Sequence, residues 1–214
     1  MSKIHLVELI YSYLYQFYGP QGWWPIDGMY VAKSSLNRNE QFQIAVGAIL
    51  TQNTNWNNVE QSLNNLRSIN LICPKKIQSI SLNQLEKLII PSGFYRQKAK
   101  KLKLLSEFIL NLKDKSPTRK ELLQIWGIGP ETADSILLYA YNKFEFVIDS
   151  YTKRIFVSLG ILNEKMSYDE IKQVFEINLP KELIIYQEFH ALIVAHAKNF
   201  YVKNKFQKCP LHYI

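Results

Sequence analysis

The stretch ELLQIWGIGPETADSILLYA, residues 121–140, has the most informative pattern in the chain. Its apolar residues have helical spacing, but Gly-Ile-Gly-Pro interrupts the pattern before it resumes at once. Gly127 and Gly129 are positions where the backbone needs a positive φ or a close approach by another group. Pro130 suits the first turn of a helix, where its missing N–H group is not required. The stretch therefore predicts a short helix, a tight hairpin and a second helix.

The second of these helices would begin with unpaired N–H groups that face outward. Such a helix terminus attracts phosphate through its dipole and through those donors. A monovalent cation bound to the carbonyl groups of the hairpin would strengthen this attraction. The spacing alone leaves an ordinary helix–turn–helix corner, capped by glycine, equally open.

The composition of the 214-residue chain narrows the classes of function. A net charge of +8 makes a polyanion the natural partner. No apolar run approaches the roughly 20 residues that span a bilayer, and the N-terminus lacks a signal-peptide cleavage pattern. We expect a cytoplasmic protein without membrane contact, associated with the nucleoid if its source is prokaryotic. Cys73 and Cys209 are too few for a disulfide framework or a four-cysteine metal site.

Helical spacing of apolar residues continues through most of the chain. A first helix should end at Gly19-Pro20, and residues 21–39 are irregular. Ser-x-x-Gln at 81–84 and Ser-x-x-Glu at 167–170 predict capping boxes. A long helix after Gly93 would carry a basic face made of Arg96, Lys98, Lys100, Lys101 and Lys103. Strand-like alternation never exceeds a few residues, so we expect an all-α fold with nine or ten helices.

A second informative stretch is FEFVIDSYTKRIFVSLG, residues 144–160. Asp149 ends an apolar run and precedes a helix, so an N-cap is its simplest interpretation. An N-cap is also a rigid mount for a catalytic carboxylate. The structural role and a chemical role are therefore compatible.

The string IWGIGPETA resembles the helix–hairpin–helix of DNA repair glycosylases related to endonuclease III. GWWP, GAILTQNTNW, PSGFYRQKAKKL and FVID resemble the branch that includes bacterial 3-methyladenine glycosylases of endonuclease III type. This resemblance implies an all-α, two-lobed helix–hairpin–helix glycosylase fold with a cleft between the lobes. Residues 35–147 would form the lobe that carries the hairpin, and 1–34 with 148–214 the other. The implied partner is double-stranded DNA with damaged bases, and we expect a monomer.

The resemblance also assigns roles to single residues. Asp149 would be the catalytic carboxylate, which stabilises a cationic sugar and activates water. Gln52 would fill the gap left by the extruded nucleotide, although a capping or turn role is the simpler interpretation from sequence. The hairpin would bind the phosphates of one strand without reading sequence. The expected DNA contacts are Gln52, Gly127, Ile128, Gly129, Thr132, Lys153 and Arg154.

Glu131 occupies the position that decides between two reaction types. Bifunctional relatives carry a lysine there, which forms a Schiff base with the sugar and leads to strand cleavage. A carboxylate cannot form that imine. We therefore expect a monofunctional glycosylase that leaves an abasic site. A favourable charge in the first turn of a helix is the alternative role for Glu131.

The aromatic segment Trp23-Trp24-Pro25 is the expected wall of a pocket for the flipped base. Indole faces attract cationic rings, which favours an alkylated purine such as 3-methyladenine. Uracil, mismatched thymine or an oxidised base is an alternative substrate, and a non-catalytic DNA-structure-binding protein an alternative function. The aromatic side chains could also simply cover the core. The expected pocket residues are Trp23, Trp24, Pro25, Phe42 and Glu131.

Many relatives end with four cysteines that hold an iron–sulfur cluster. Here Cys209 looks like the third of them, whereas Asn199 and Phe206 stand where the first two are expected. The sequence ends before a fourth. Cys209 and His212 are too few ligands for a closed zinc site. We therefore expect no iron–sulfur cluster and no other cofactor, with side-chain packing in place of the metal.

Overall fold

The computed structural model describes residues 3–30, 35–113, 115–202 and 206–213. Over these ranges it contains helices and no strand, apart from one isolated bridge between Ile26 and Met29. The all-α prediction is confirmed. None of the described helices is both long and apolar enough to cross a membrane.

Eleven α-helices are present in the described ranges, against the nine or ten predicted. They are α1 Lys3–Tyr18, α2 Arg38–Leu50, α3 Trp56–Ser68, α4 Pro74–Ser79, α5 Leu82–Leu88, α6 Tyr95–Leu112, α7 Arg119–Leu123, α8 Pro130–Tyr141, α9 Ser150–Ser158, α10 Tyr168–Asn178 and α11 Leu183–Phe200. Short 3-10 turns lie at Ile90–Ser92, Phe206–Lys208 and Pro210–Tyr213. The Ser167–Glu170 capping box has both of its reciprocal hydrogen bonds, and Ser81 accepts from the backbone N–H of Gln84.

The chain divides into two compact units. The central unit is Trp24–Asn142, and the terminal unit combines Met1–Trp23 with Lys143–Ile214. The sequence placed these boundaries at 34/35 and 147/148. The central unit begins earlier because Trp24 packs against Gly47 of α2, 3.0 Å from the point where a Cβ would stand. The terminal unit begins earlier because Phe146 stacks on Phe175 with ring centroids 4.5 Å apart.

Within the central unit, α2 is buried from Phe42 to Leu50 and packs against α8. Burial of a whole helix requires apolar residues all round it, and α2 has them from Ile44 to Leu50 apart from Gly47. This pairing brings the loop that follows α2 beside the hairpin that precedes α8. The loop carries Gln52.

Within the terminal unit, α11 packs against α1 and α9. Its core is aromatic: the rings of Phe146, Phe156, Phe175 and Phe189 form stacked, tilted and edge-to-face pairs. The backbone N–H of Phe146 donates to Glu176 at 2.9 Å. These contacts fix the extended segment that leads into Asp149.

A buried hydrogen-bonded cluster holds the C-terminal tail against α11. His196 is fully buried, with its Nδ1 3.0 Å from the Tyr18 hydroxyl and its Nε2 3.1 Å from Cys209 Sγ. The hydroxyl of Tyr201 lies 2.9 Å from Ser158 Oγ. In the described ranges no three His, Cys, Asp or Glu side chains are grouped as metal ligands. The absence of an iron–sulfur cluster stays a prediction. The hydrogen bonds described above are the side-chain contacts found around Cys209.

Candidate nucleic-acid interface and active site

The hairpin between α7 and α8 has the predicted helix–hairpin–helix geometry. Gly127 has φ +83°, in the left-handed region that glycine favours, whereas Gly129 has φ −93°. Ile128 between them is buried, and its N–H donates to the carbonyl of Ile125 at 3.0 Å. The side chain of Ile128 therefore anchors the hairpin, and any contact with DNA would involve its backbone.

The two glycines are needed for different reasons. The φ of Gly127 favours glycine, and a Cβ there would lie 2.3 Å from Cε of Lys101, so a larger residue would be strained and would displace the Lys101 side chain. A Cβ on Gly129 would meet no atom within 4 Å. Nothing in the described ranges thus requires Gly129. Open space in front of a helix N-terminus leaves room for a group from another molecule.

Gln52 is tied to this hairpin. Its Nε2 donates to the carbonyl of Gly127 at 3.1 Å and to Oγ1 of Thr132 at 2.8 Å, and its Oε1 accepts from Lys101 Nζ at 2.6 Å. The Thr132 side chain is buried, so its hydroxyl serves the hairpin. The Gly127 carbonyl thus already accepts a hydrogen bond from Gln52. A cation bound to the hairpin carbonyls stays a prediction.

The start of α8 has no side-chain cap. Its N-cap is Gly129, which has no side chain to accept from the first turn, and Pro130 is its first residue. Glu131 lies exposed in that turn. A fully buried carboxylate, Asp134, forms a bidentate ion pair with Arg119 of α7 at 2.7 and 3.3 Å. This pair fixes the angle between the two helices, because both of its bonds join α7 to α8.

The basic face predicted on α6 is smaller than expected, which corrects the interpretation from sequence. Lys98 is 1% exposed, and its Nζ donates to the carbonyls of Leu50 at 2.8 Å and Ser92 at 2.6 Å. Lys103 donates to carbonyls near the end of α4. Burial and the charge of Lys101 lower the pKa of Lys98 to about 8. Arg96 and Lys100 remain the exposed cations of this face.

Phe94, which the sequence patterns did not single out, has an unusual position just before α6. It has φ +46° and ψ +28°, a left-handed conformation that L-residues other than glycine avoid, and its side chain is 62% exposed. Strain of this kind concentrates at functional sites. Its signal in the sequence is the Gly-Phe pair directly before a basic helix.

The predicted base-pocket residues differ widely in exposure. Trp24 is 8% exposed and meets Trp56 and Tyr139 edge-to-face, with centroids 5.6 and 5.3 Å apart. Phe42 and Pro25 are also buried, whereas Trp23 is half-buried. Trp24 and Phe42 thus have the core packing that the sequence left open as an alternative. Their contact with a base stays a prediction.

Trp23 follows a backbone turn that is held by a buried carboxylate. Glu188 of α11 accepts from the backbone N–H of Gln21 at 2.5 Å and of Gly22 at 2.8 Å. A carboxylate that accepts two backbone donors is a strong, directional anchor. Glu188 therefore positions the turn that presents Trp23.

Asp149 is the N-cap of α9, as its simplest interpretation predicted. Its Oδ1 accepts from both the backbone N–H and the hydroxyl of Thr152, each at 2.7 Å. Its Oδ2 accepts no hydrogen bond from the described residues and lies 3.8 Å from Nε2 of His190. The carboxylate is therefore rigidly mounted with one oxygen left for chemistry.

His190 is a candidate functional residue that the sequence patterns missed. It lies on α11, and its side chain is 14% exposed beside an Asp149 side chain that is 11% exposed. Burial lowers the pKa of His190, and the charge of Asp149 opposes that shift. The imidazole is therefore neutral near pH 7. Asp149 and His190 are 41 positions apart in sequence, so no local spacing could pair them.

The two predicted cationic DNA contacts on α9 differ in whether their side chains already make a hydrogen bond. Lys153 Nζ donates to the carbonyl of Met166 at 3.1 Å. Arg154 is exposed and makes no ion pair or hydrogen bond within the described ranges. Arg154 is thus the cation of this helix that is available to a phosphate.

Comparison with known proteins gives concordant results. The model of the HhH-GPD superfamily of base excision DNA repair proteins matches residues 46–181. A protein of Methanocaldococcus jannaschii, provisionally named a DNA repair glycosylase, is 46% identical over 98% of this chain and 96% of its own length. The 3-methyladenine DNA glycosylase of Helicobacter pylori, solved with 1,N6-ethenoadenine, is 32% identical. It covers 93% of this chain and 98% of its own, with a TM-score of 0.74.

A trapped endonuclease III–DNA covalent intermediate shares the fold. Its TM-score is 0.75 at 17% identity, over 93% of this chain and 87% of the endonuclease III chain. At that identity the likeness concerns the arrangement of helices alone.

Proposed function

The chain belongs to the HhH-GPD superfamily of base excision DNA repair proteins, and we propose that it is a monofunctional DNA glycosylase that removes an alkylated purine from duplex DNA. The observation that carries the proposal is the Asp149 carboxylate, held at the start of α9 through Oδ1 with Oδ2 left unbonded by the described residues. The proposal takes damaged duplex DNA as the ligand and a monomer as the active form.

The proposed reaction cleaves the bond between the sugar C1′ and the base. As that bond stretches, positive charge develops on the sugar, and a fixed carboxylate close to it lowers the barrier. Asp149 is suited to this role because its anchoring bonds are already made in the free chain and need not form during the reaction. Water then adds to C1′ and leaves an abasic site.

The proposal of a monofunctional enzyme rests on the side chain at position 131. Glu131 is exposed in the first turn of α8, where bifunctional relatives carry their lysine. A carboxylate cannot form the imine that leads to strand cleavage. Lys101, which lies against Gly127, is hydrogen-bonded to Gln52, and Lys98 is buried against two carbonyls. Neither has a free amine to offer in this arrangement.

An alkylated purine is the substrate class that the aromatic residues favour. A base alkylated on a ring nitrogen is a cation, which the face of an indole attracts. Trp23 is half-buried and is positioned by Glu188, so it is the first candidate for that contact. The likeness to the Helicobacter pylori 3-methyladenine glycosylase supports the same class. A cationic base also leaves without a strong general acid, which suits a site whose proposed catalytic group is the Asp149 carboxylate.

The test is base release from a panel of duplexes. The panel contains 3-methyladenine, uracil, a thymine–guanine mismatch and 8-oxoguanine, each assayed for nicks before and after hot alkali. We expect release from the methylated duplex, with nicks only after alkali. Nicks before alkali would show that a lysine acts as nucleophile, and release of only the other bases would overturn the substrate assignment.

A substitution separates catalysis from binding. Asp149→Asn should lower the rate of base release by about 10²–10⁴-fold and leave duplex affinity within a few-fold. Asp169→Asn, which removes an exposed carboxylate from the first turn of α10, is the matched control and should leave the rate unchanged. Binding by a wild-type protein that releases no base from any duplex would indicate the non-catalytic alternative.

A further inference from the structure

The two oxygens of the Asp149 carboxylate have different surroundings. Oδ1 is saturated by the N–H and hydroxyl of Thr152. Oδ2 accepts no hydrogen bond from the described residues and lies 3.8 Å from His190 Nε2. That separation is too long for a direct hydrogen bond. A single water can lie within hydrogen-bond distance of both atoms, since polar contacts beyond 3.5 Å are commonly bridged in this way.

We propose that His190 Nε2 and Asp149 Oδ2 together bind the water that attacks the sugar. This inference rests on the proposed function and adds a second residue to the chemistry. A water that donates one hydrogen to Oδ2 and the other to Nε2 keeps an oxygen lone pair free. Two fixed acceptors orient that lone pair better than one, which removes rotational freedom before the reaction.

The state of His190 suits this role. Its burial keeps the ring neutral near pH 7, so that one ring nitrogen has a lone pair. The required tautomer carries its proton on Nδ1 and leaves Nε2 as the acceptor. A protonated imidazole would donate at Nε2 and pair with the carboxylate instead. The neutral ring therefore keeps Oδ2 available to the water.

The step balances as follows. The C1′–N bond breaks and its electron pair goes to the departing base, which becomes neutral if it was a cation. The oxygen lone pair of the water forms the C1′–O bond. One proton of the water passes to Oδ2 of Asp149 and then to solvent, and His190 keeps its own proton throughout. No oxidant, reductant or metal ion takes part.

The first measurement compares wild type with two His190 variants in single-turnover base release and in affinity for duplex DNA. His190→Leu removes the acceptor, and we expect the rate constant to fall about 10²-fold with the dissociation constant within a few-fold of wild type. His190→Asn retains an acceptor in its amide oxygen and should recover part of the rate. A wild-type rate in His190→Leu, or a loss confined to affinity, would overturn the inference.

The second measurement reports on the water itself. Added methanol competes as nucleophile, and it gives a methyl glycoside that hot alkali does not cleave. Wild type should yield one alkali-labile site per released base, because its water is held. His190→Asn and His190→Leu should yield fewer sites per base in methanol. An unchanged ratio in a folded His190 variant would count against a held water.

These outcomes separate the inference from the function on which it rests. If wild type releases no base, the proposed function fails. If wild type releases base and Asp149→Asn does not, but both His190 variants match wild type in rate and in methanol, only the role of His190 fails. Circular dichroism of each variant shows whether it is folded, and His190→Asn, the smaller disturbance in polarity, carries the test if His190→Leu unfolds.

Discussion

The side chain of Lys101 lies across Gly127, with Cε 2.3 Å from the point where a Cβ on that glycine would stand. The same lysine donates to Gln52 at 2.6 Å, and its Nζ lies 6.0 Å from the ring centroid of Trp126. One side chain thus connects the hairpin to the loop that follows α2. The close contact with Lys101 accounts for the glycine at position 127. No contact within the described residues accounts for the glycine at 129, so we attribute it to a group from another molecule.

Gly127→Ala should destabilise the protein. Alanine at φ +83° is strained, and its Cβ would collide with the Lys101 stem. We expect the free energy of unfolding to fall by about 1–3 kcal/mol, measured by urea denaturation. A variant as stable as wild type would show that the hairpin can change its backbone at little cost.

Gly129→Ala should affect DNA binding instead. Its φ of −93° suits alanine and its surroundings are open, while alanine is a poorer N-cap than glycine, so the free energy of unfolding should stay within about 1 kcal/mol of wild type. A methyl group there would stand in the way of a phosphate that approaches the start of α8. Fluorescence anisotropy with a labelled duplex should show weaker binding than wild type. Unchanged affinity would argue that the phosphate lies elsewhere.

Gln52→Leu should lower the stability of the DNA-free protein as well as the rate of base release. Leucine keeps the approximate volume but removes three hydrogen bonds, which leaves Lys101 Nζ and the Gly127 carbonyl without this partner. We expect a loss of about 1–3 kcal/mol in the free energy of unfolding, together with slower base release. A variant with slow base release and wild-type stability would indicate that these bonds contribute little before DNA binds.

The fold was predictable from sequence because its determinants are local. Helical spacing, the Gly127–Pro130 interruption and the Ser167–Glu170 box each lie within a few residues of one another, and the structure confirms the helices they predict. Two further local signals have the same form. The capping boxes Asn37–Glu40 and Thr118–Glu121 have the same spacing and begin α2 and α7.

The site was predictable only where a single segment carries it. Asp149 is recognisable as the end of an apolar run, whereas its neighbour His190 comes from a distant helix. Helical spacing alone puts Lys98 on the basic face of α6. Tertiary contacts reversed that assignment, since Nζ satisfies carbonyls at the end of α2 and in the turn before α6.

Phe94→Gly should separate stability from activity. Glycine relieves the left-handed strain at φ +46° and removes an exposed apolar side chain, so thermal stability should be maintained or raised. If the exposed ring contacts DNA, as its position before the basic helix α6 suggests, base release should slow. A loss of stability with unchanged base release would assign Phe94 a structural role only.

Arg154→Gln should reduce the salt dependence of DNA binding. The side chain is exposed and has no partner in the described ranges, so a phosphate contact would release about one counterion. The slope of log affinity against log salt should fall by about 1 relative to wild type. Lys165→Gln removes an exposed charge from the same unit and serves as the control, with an unchanged slope. Equal slopes for all three proteins would exclude Arg154 from the interface.

Acid should destabilise the protein through His196. Burial, with a smaller contribution from His212, lowers the pKa of His196 from 6.5 to about 4. Between these values the unfolded chain binds more protons than the folded one, so the free energy of unfolding increases with pH. The stability that depends on a neutral His196 is fully present above pH 6.5 and is lost as the pH falls toward 4. A shift of this size corresponds to about 3 kcal/mol.

His196→Phe isolates this contribution, because it removes the titrating group and keeps a ring beside Phe200, whose centroid is 4.8 Å from that of His196. The variant should be less stable than wild type at pH 7, since Tyr18 and Cys209 each lose their hydrogen bond with His196. Its urea denaturation midpoint should nevertheless change less than that of wild type between pH 6.5 and 4. The buried His190, whose pKa is lowered in the same direction, accounts for part of the dependence that remains. Parallel pH profiles for the two proteins would mean that His196 is not the group that makes stability depend on pH in this range.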